Sequence, residues 1–384
     1  MSANVAVNRF RLIACFLLFG MSCLSPVAPA LAAPVTVVDI AGRVVTLDKP
    51  ATRIVLGHWV TLDALSLLHD DPVSLLVGWG ESGANTYQRD LLRERFPAVD
   101  AIPVVANGSV DQMSVEAVLA LQPDLVILSR FDAFRFGDTG SAPPQLAQLE
   151  EAGIPVVIVD FFIDPIANTV PSLRIIGELT GKAAQADAFA ELYEARLRRL
   201  ALALDGADVA LKRPSVFLHA FANRPECCFS AGRGALDGLI GLAGGHNIGS
   251  ESLPGAIGQL GLEAVIVRNP DIYLPTAVNE AGEGLRLGPG VSRKRAIEGL
   301  ESLLARRELT AIAAVKDGRA FALWHLFTHT PLHIVGLEAL ARHLHPDRLS
   351  TVDAQATLDE VNSRFLTVPL TGTFWIASGG AVED

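Results

Sequence analysis

The chain has 384 residues, half of them hydrophobic, and a formal net charge of −11. Residues 1–32 carry two arginines and no acid, so the 352 residues that follow carry −13, which excludes a nucleic-acid partner, whose phosphates call for a basic face. That remainder exceeds one comfortable hydrophobic core and calls for two domains.

In chain order, residues 1–32 read first, as an export signal. Arg9 and Arg11 form a positive start, Leu12 to Leu24 is mostly apolar, and Ala30-Leu31-Ala32 offers the small-x-small pattern of a signal peptidase site. The apolar run is too short to span a bilayer, and no later stretch approaches about 20 consecutive apolar residues. Cys15 and Cys23 raise the alternative of a lipid anchor. Cys15 precedes most of the apolar run, however, and Cys23 has Gly20 where a lipobox has leucine. Cleavage near Ala32 and export is the expectation.

Val35 to Leu47 then predicts a hairpin turning at Ala41-Gly42. Arg53–Leu56, Ser74–Val77, Leu125–Leu128 and Pro155–Val159 read as strands separated by helical stretches, the alternation of a largely parallel sheet. From about Pro171 to Leu204 the residues Phe189, Leu192, Tyr193, Leu197 and Leu200 recur on one face of a long helix. Thr180-Gly181-Lys182 breaks or kinks it, and Asp205-Gly206 ends it. Beyond lie a strand at Ser215–Leu218, a helix at Ala235–Leu242, a strand at Arg319–Trp324 and a closing helix at Leu332–Leu344.

An internal repeat organises these elements. Ser114-Val-Glu-Ala-Val-Leu-Ala-Leu-Gln-Pro-Asp-Leu-Val-Ile-Leu128 overlays Gly261-Leu-Glu-Ala-Val-Ile-Val-Arg-Asn-Pro-Asp-Ile-Tyr-Leu-Pro275 without a gap, at an offset of 147 residues. Each copy predicts a short helix, a Pro-Asp turn and a buried strand. Two such units half a chain apart predict two similarly built α/β lobes.

In open α/β sheets ligands lie beyond the carboxyl ends of the strands. That rule selects His58 after the first strand, Trp79 after the second with Tyr87 farther on, Arg130 after the third, and Phe162 after the fourth. The second lobe adds Phe221, Trp324, His325 and His329, with His219 and Thr276 nearby. Aromatic rings and arginine suit a planar, anionic chelate through stacking and charge-assisted hydrogen bonds. Histidine suits a hydrogen bond or a vacant position on a metal, and His325 is the first candidate for contact with a metal carried by a bound chelate. His343 and His345, near the end of the closing helix, read as structural.

Cys227 and Cys228 are the only cysteines after residue 32. Alpha carbons of adjacent residues lie about 3.8 Å apart, shorter than a disulfide usually spans. Three readings stay open: a vicinal disulfide that stiffens a ligand loop, two thiolates for a soft metal, or buried thiols. The glycine-rich stretch 282–292 reads as a surface loop or as a ligand contact through Arg286 or Arg293. No phosphate-cradling loop, His-Glu-x-x-His or Gly-x-Ser-x-Gly occurs. An enzyme is therefore not expected; a secreted metal-dependent hydrolase using the scattered histidines is the alternative of another class.

Further residues carry a resemblance. Asp39-Ile-Ala-Gly-Arg-Val-Val-Thr-Leu, Arg53-Ile-Val, the two Glu…Pro-Asp units, Gly153-Ile-Pro-Val-Val, Ala243-Gly-Gly-His-Asn-Ile248 and Ala314-Val-Lys-Asp-Gly-Arg319 occur in that order. Over roughly residues 35–350 the chain resembles the periplasmic iron–siderophore, haem and cobalamin binding proteins of ABC importers. The resemblance implies an α/β fold of two lobes with largely parallel sheets, bridged by a long helix, with the ligand in the cleft between them. It divides the chain into a signal peptide (1–32), an N-terminal lobe (33–168), a bridging helix (169–206) and a C-terminal lobe (207–384). It implies capture of an iron–siderophore-type chelate, or alternatively haem, cobalamin or a nickel, cobalt or zinc chelate. The metal arrives with the ligand, so no intrinsic cofactor is expected. Its implied partner is the inner-membrane permease, to which a monomer offers Glu116 and Glu263.

Overall fold

The computed structural model describes residues 33–379 apart from 82–85, 108–109, 135–142, 206–211, 225–226, 256 and 280–283, and the expected export signal lies outside them. Strands β1 (Val35–Val38) and β2 (Val44–Leu47) form the expected hairpin, with Val38 opposite Val44 and Gly42 at φ 80°. The Asp39 carboxylate accepts from the backbone N–H of Ala41 and Arg43, each at 2.9 Å, and of Ile158 at 3.1 Å. One side chain thus closes the turn and ties the hairpin to the first sheet.

That sheet holds β3 (Ile54–Leu56), β4 (Leu76–Glu81), β5 (Val104–Asn107), β6 (Leu125–Ser129) and β7 (Val156–Val159), all parallel, in the order β5-β4-β3-β6-β7. Helices α1 (Thr61–Leu68), α2 (Thr86–Arg93), α3 (Val115–Ala120), α4 (Arg130–Phe134), α5 (Pro144–Glu151) and α6 (Pro165–Leu179) connect and cover it. β3 and β7 are buried at every position, as strands covered on both faces must be.

The helical stretch expected from Pro171 to Leu204 divides, at the break expected over Thr180-Gly181-Lys182, into two helices. α6 begins at Pro165, where the Asp164 carboxylate caps it by accepting from Ala167 N–H at 3.3 Å. It stops at Thr180: Gly181 turns into the left-handed region at φ 72°, and Lys182 N–H donates back to the Gly177 carbonyl at 2.6 Å. α7 (Ala183–Asp205) follows. α6 packs on α1, β1 and β7 of the first lobe and also meets the helix Ala235–Leu242 of the second, so it flanks the bridge that α7 makes.

The second lobe contains β8 (Ser215–His219), β9 (Phe229–Ala231), α8 (Ala235–Leu242), β10 (His246–Asn247), β11 (Ile257–Gln259), α9 (Leu262–Arg268), β12 (Ile272–Ala277), α10 (Arg293–Leu304), α11 (Ala313–Lys316), β13 (Phe321–Trp324), α12 (His333–Leu344), α13 (Ala354–Arg364) and β14 (Trp375–Ala377). Its sheet runs β10-β8-β12-β13-β14, parallel except for the antiparallel last pair. β9 and β11 form a small antiparallel ladder beside it.

α7 buries Ala186, Phe189, Ala190, Tyr193 and Leu200 along one face, packing on α1 in the first lobe and α12 in the second. Tyr193 Oη donates to His333 Nε2 at 2.5 Å, because His333 Nδ1 already donates to the Thr330 carbonyl. Arg199 bonds the fully buried Glu338 carboxylate at 2.9 Å, and Arg196 bonds Glu360 at 2.5 Å. One hydrophobic core runs through Leu56 and Val159 of the first lobe, Phe189 of α7, and Phe217 and Leu340 of the second. A smaller core, including Val126 and Ile158, lies on the other face of the first sheet. The molecule is therefore an α/β protein of two lobes joined by a helix.

Candidate ligand-binding site

Each sheet has a point where the strand order reverses, between β3 and β6 in one lobe and between β8 and β12 in the other. Connections diverge there and leave a crevice at the carboxyl ends. His58 and Arg130 leave the first switch point; Phe221 leaves the second, beside Thr276. Gly80 lets β4 approach β3 just before His58, since a Cβ at that position would collide with the Gly57 carbonyl.

A run of rings joins the two lobes. Phe131 meets Phe162 edge-on at 5.1 Å, and Phe162 lies flat on His329 at 4.1 Å with planes 12° apart. His329 neighbours His325 at 5.2 Å, His325 lies against Phe221 at 3.9 Å, and the Arg224 guanidinium sits 4.4 Å over the Phe221 ring. Phe131 and Phe162 belong to the first lobe and the others to the second, so the stack crosses the cleft. Admitting a ligand ring between Phe162 and His329 requires the lobes to part there by about one ring thickness, roughly 3.5 Å.

Local chemistry places these groups. The buried Asp160 carboxylate accepts from the backbone N–H of Phe162 at 3.0 Å, Ile163 at 2.7 Å and Asp164 at 3.0 Å, and from Asn168 Nδ2 at 2.8 Å. This turn projects Phe162 beyond β7. Arg130, at the end of β6, stands 3.7 Å from the same carboxylate and stays partly exposed. Phe221 takes a left-handed φ of 52°, uncommon for a side chain of its size, and is held there because Ala222 N–H donates to the Thr276 carbonyl at 2.8 Å.

The histidines here are neutral at pH 7. Burial lowers His58 to about 4 and His325 to about 3, with the Arg224 charge adding to the effect on His325. Burial, then the neighbouring His325 and His58, holds His329 well below its ordinary value. Thr328 Oγ1 donates to the His325 carbonyl at 2.7 Å and also lies 2.8 Å from His329 Nδ1. One hydroxyl hydrogen serves one acceptor, so both bonds form together when His329 Nδ1–H is the donor. The lone pair of His329 then resides on Nε2. His325 Nδ1 is bonded to Thr276 Oγ1 at 2.9 Å.

Six expected residues, His58, Arg130, Phe162, Phe221, His325 and His329, therefore lie in or beside the ring stack. Two are corrections. Trp79 is fully buried inside β4, because that strand runs on to Glu81 instead of ending near Val77; Arg89 stacks over its ring at 5.2 Å. Trp324, the last residue of β13, packs edge-on against Phe327 and Phe374 in the core. Tyr87 lies in α2, and its side chain falls outside the described residues. His219 is buried beside Tyr273, 2.8 Å from its hydroxyl. Cys227 and Cys228 form a vicinal disulfide, the first of the three readings. His343 stacks on Phe321 and His345 bonds the Gly244 carbonyl, both as packing residues. Arg224 and Thr328 were not singled out from sequence: Arg224 sits in a turn without periodicity, and a lone threonine carries no motif.

The repeat is reproduced in three dimensions. From 114 to 124 and from 261 to 271 the sequence of exposed, half-buried and buried positions is identical. Gln122 and Asn269, an offset of 147 apart, both adopt left-handed φ, 47° and 45°. Asp124 accepts from the backbone N–H of Thr52 and Arg53 at 2.9 Å, and Asp271 from that of Ser215 at 2.8 Å, each fastening its unit to the neighbouring strand. Glu116 and Glu263 are exposed in the first turns of α3 and α9, each followed three residues later by an exposed aliphatic, Leu119 or Ile266.

Comparisons with known proteins agree with this architecture. Residues 54–324 match the family model described as periplasmic binding protein. Among curated proteins, a cobalamin-binding protein of Halobacterium salinarum is 29% identical over 243 residues, 63% of this chain and 58% of its own length. The Fe(3+) dicitrate-binding periplasmic protein of Escherichia coli is 28% identical over 226 residues, 59% of this chain and 66% of its own length. The chain thus spans about three fifths to two thirds of these relatives. A TroA-like periplasmic binding protein from Veillonella parvula superimposes with a TM-score of 0.77 at 23% identity, covering 90% of this chain and 100% of that one. A periplasmic haem-binding protein from Pseudomonas aeruginosa has a TM-score of 0.55 at 23% identity, covering 77% and 94%. Two lobes joined by α7, strand ends converging on one cleft, and a family match over most of both sheets lead to one assignment: the chain belongs to the periplasmic binding protein family, whose members bind substrates and are not enzymes.

Proposed function

We propose that this protein captures a metal chelate of the iron–siderophore type outside the inner membrane and delivers it to the permease of an ABC importer. The observation that carries the reading is the ring stack from Phe131 to Phe221 across the cleft, with the partly exposed Arg130 guanidinium at its edge. Flat faces hold aromatic chelating groups by stacking, and a guanidinium holds the anionic oxygens they present. Residues 1–32 act as the export signal, and the metal enters only as part of the ligand. Glu116 and Glu263 supply one acidic contact per lobe to the permease, docked as a monomer.

A second reading, a tetrapyrrole such as haem or cobalamin, is favoured by the His329 Nε2 lone pair, since a neutral imidazole with its other nitrogen fixed by a hydrogen bond is a ready axial ligand. Titration of the protein lacking residues 1–32 decides between them. Ferric or gallium catecholates, ferric citrate, haem and cobalamin are added in turn while tryptophan emission is followed. Saturable binding of a catecholate supports the siderophore reading; tetrapyrrole binding with a visible-band shift abolished in His329→Ala supports the second. Failure of every chelate to bind overturns both.

A further inference from the structure

We infer that the Cys227–Cys228 disulfide is a positioning element of the ligand site, holding the loop that covers His325, and that reducing it weakens ligand capture. This rests on the chelate-binding reading above. An ordinary disulfide stabilises by closing a chain loop in the unfolded state. This one joins adjacent residues and closes none, so its contribution is local to the segment between β8 and β9.

That segment is fastened at both ends. On the disulfide side, the Cys228 carbonyl accepts from Leu260 N–H at 3.0 Å, the Cys227 carbonyl accepts from Gln259 Nε2, and Phe229 closes onto Ala220 through an N–H···O bond of 2.7 Å. On the other side, Ala222 N–H bonds the Thr276 carbonyl, and Phe221 lies against His325, whose Nδ1 is bonded to the same threonine. Phe221 is kept on His325 by this left-handed backbone, by its own N–H directed at Thr276 Oγ1 at 3.4 Å, and by a turn in which Arg224 N–H donates to the Phe221 carbonyl at 2.9 Å. A covalent brace six residues along the same short loop limits how far it can relax.

The bond is also reachable. Cys228 is fully buried, but Cys227 is partly exposed. A dithiol reductant can attack there, close to its own cyclic disulfide and leave two thiols on the protein, two electrons and two protons having passed to the cysteines. With no other cysteine after residue 32, the released thiols have no alternative intramolecular partner.

The test compares oxidised protein, anaerobically reduced protein freed of reductant, and the Cys227→Ala/Cys228→Ala variant. The probe is a gallium(III) catecholate, which thiols cannot reduce. We expect at least a tenfold loss of affinity in both the reduced protein and the variant, with faster amide exchange at Ala222 and a thermal midpoint close to that of the oxidised form. Reoxidation of the reduced protein restores binding even if the variant folds poorly. Equal affinity and equal Ala222 exchange before and after reduction overturn the inference. If the oxidised protein binds no chelate, the ligand reading fails instead, and Ala222 exchange alone decides whether the bond braces the loop.

Discussion

At the scale of single residues, the buried histidines make stability depend on pH in a calculable direction. His325 and His333 are 3% and 1% exposed, with values lowered by burial to about 3 and about 4. In the unfolded chain both return to about 6.5. Above pH 6.5 they are neutral in both states and contribute nothing. Between pH 6.5 and about 4 the unfolded chain binds protons that the folded chain refuses, so stability falls on acidification, by about 1.4 kcal/mol per pH unit for each. Glu338, whose value is raised by burial, opposes this as it takes up a proton in the folded state. Chemical unfolding at pH 7, 6 and 5 is expected to show a loss of about 3 kcal/mol between pH 6.5 and 5 from these two histidines, and His58, His69, His329 and His343, also lowered by burial, add to it. A curve flat over that range would contradict neutral, buried imidazoles at these positions.

At the scale of elements, α3 and α9 are the same unit used twice. Each exposes a glutamate and an aliphatic residue, and each is anchored by a Pro-Asp turn to its own sheet, so neither surface depends on the ligand site. Among the described residues neither glutamate makes an ion pair, so replacing them removes no internal bond. Glu116→Arg with Glu263→Arg is therefore expected to leave chelate affinity and thermal midpoint unchanged while abolishing uptake in cells that depend on the importer. Either single change should leave partial uptake, because one of two equivalent contacts survives. Loss of chelate binding in the double variant, or full uptake, would count against docking through these helices.

These units were also the most legible part of the sequence, because a buried strand after a Pro-Asp turn leaves a local pattern. The hairpin at Gly42 and the break at Gly181 were legible for the same reason: both need a left-handed backbone that glycine adopts freely. The end of β4 was not legible. Leu76 to Glu81 includes two glycines, which weaken a strand pattern, and Trp79 was consequently placed beyond the strand when it lies within it. The antiparallel β14 left no sign that it would close the sheet, since three residues carry too little alternation. Strand-end position singled out His58, Arg130, Phe162, Phe221, His325 and His329 as candidates, and the fold brings them in or beside one ring stack. Contacts set by tertiary packing, such as Thr328 between two histidines, leave no trace in spacing.

At the scale of the whole molecule, the lobes share a core. The hydrophobic cluster that holds Leu56 and Val159 continues through Phe189 and Tyr193 of α7 into Phe217 and Leu340. Detaching one folded lobe from the other would bare one flank of α7 and strand the Tyr193–His333 and Arg199–Glu338 pairs, whose buried members lose their partners. The lobes should therefore unfold together, and calorimetry of the unliganded protein should show one transition. The ligand makes the criterion stricter. A ligand held between the lobes binds only when both are folded, so at 100 times its dissociation constant it stabilises by about 2.7 kcal/mol and should shift the whole peak. If only part of the heat moves, the lobes melt as separate units and α7 is a tether. If the single peak moves as one, the bridging helix is part of a common core and the two lobes unfold as one body.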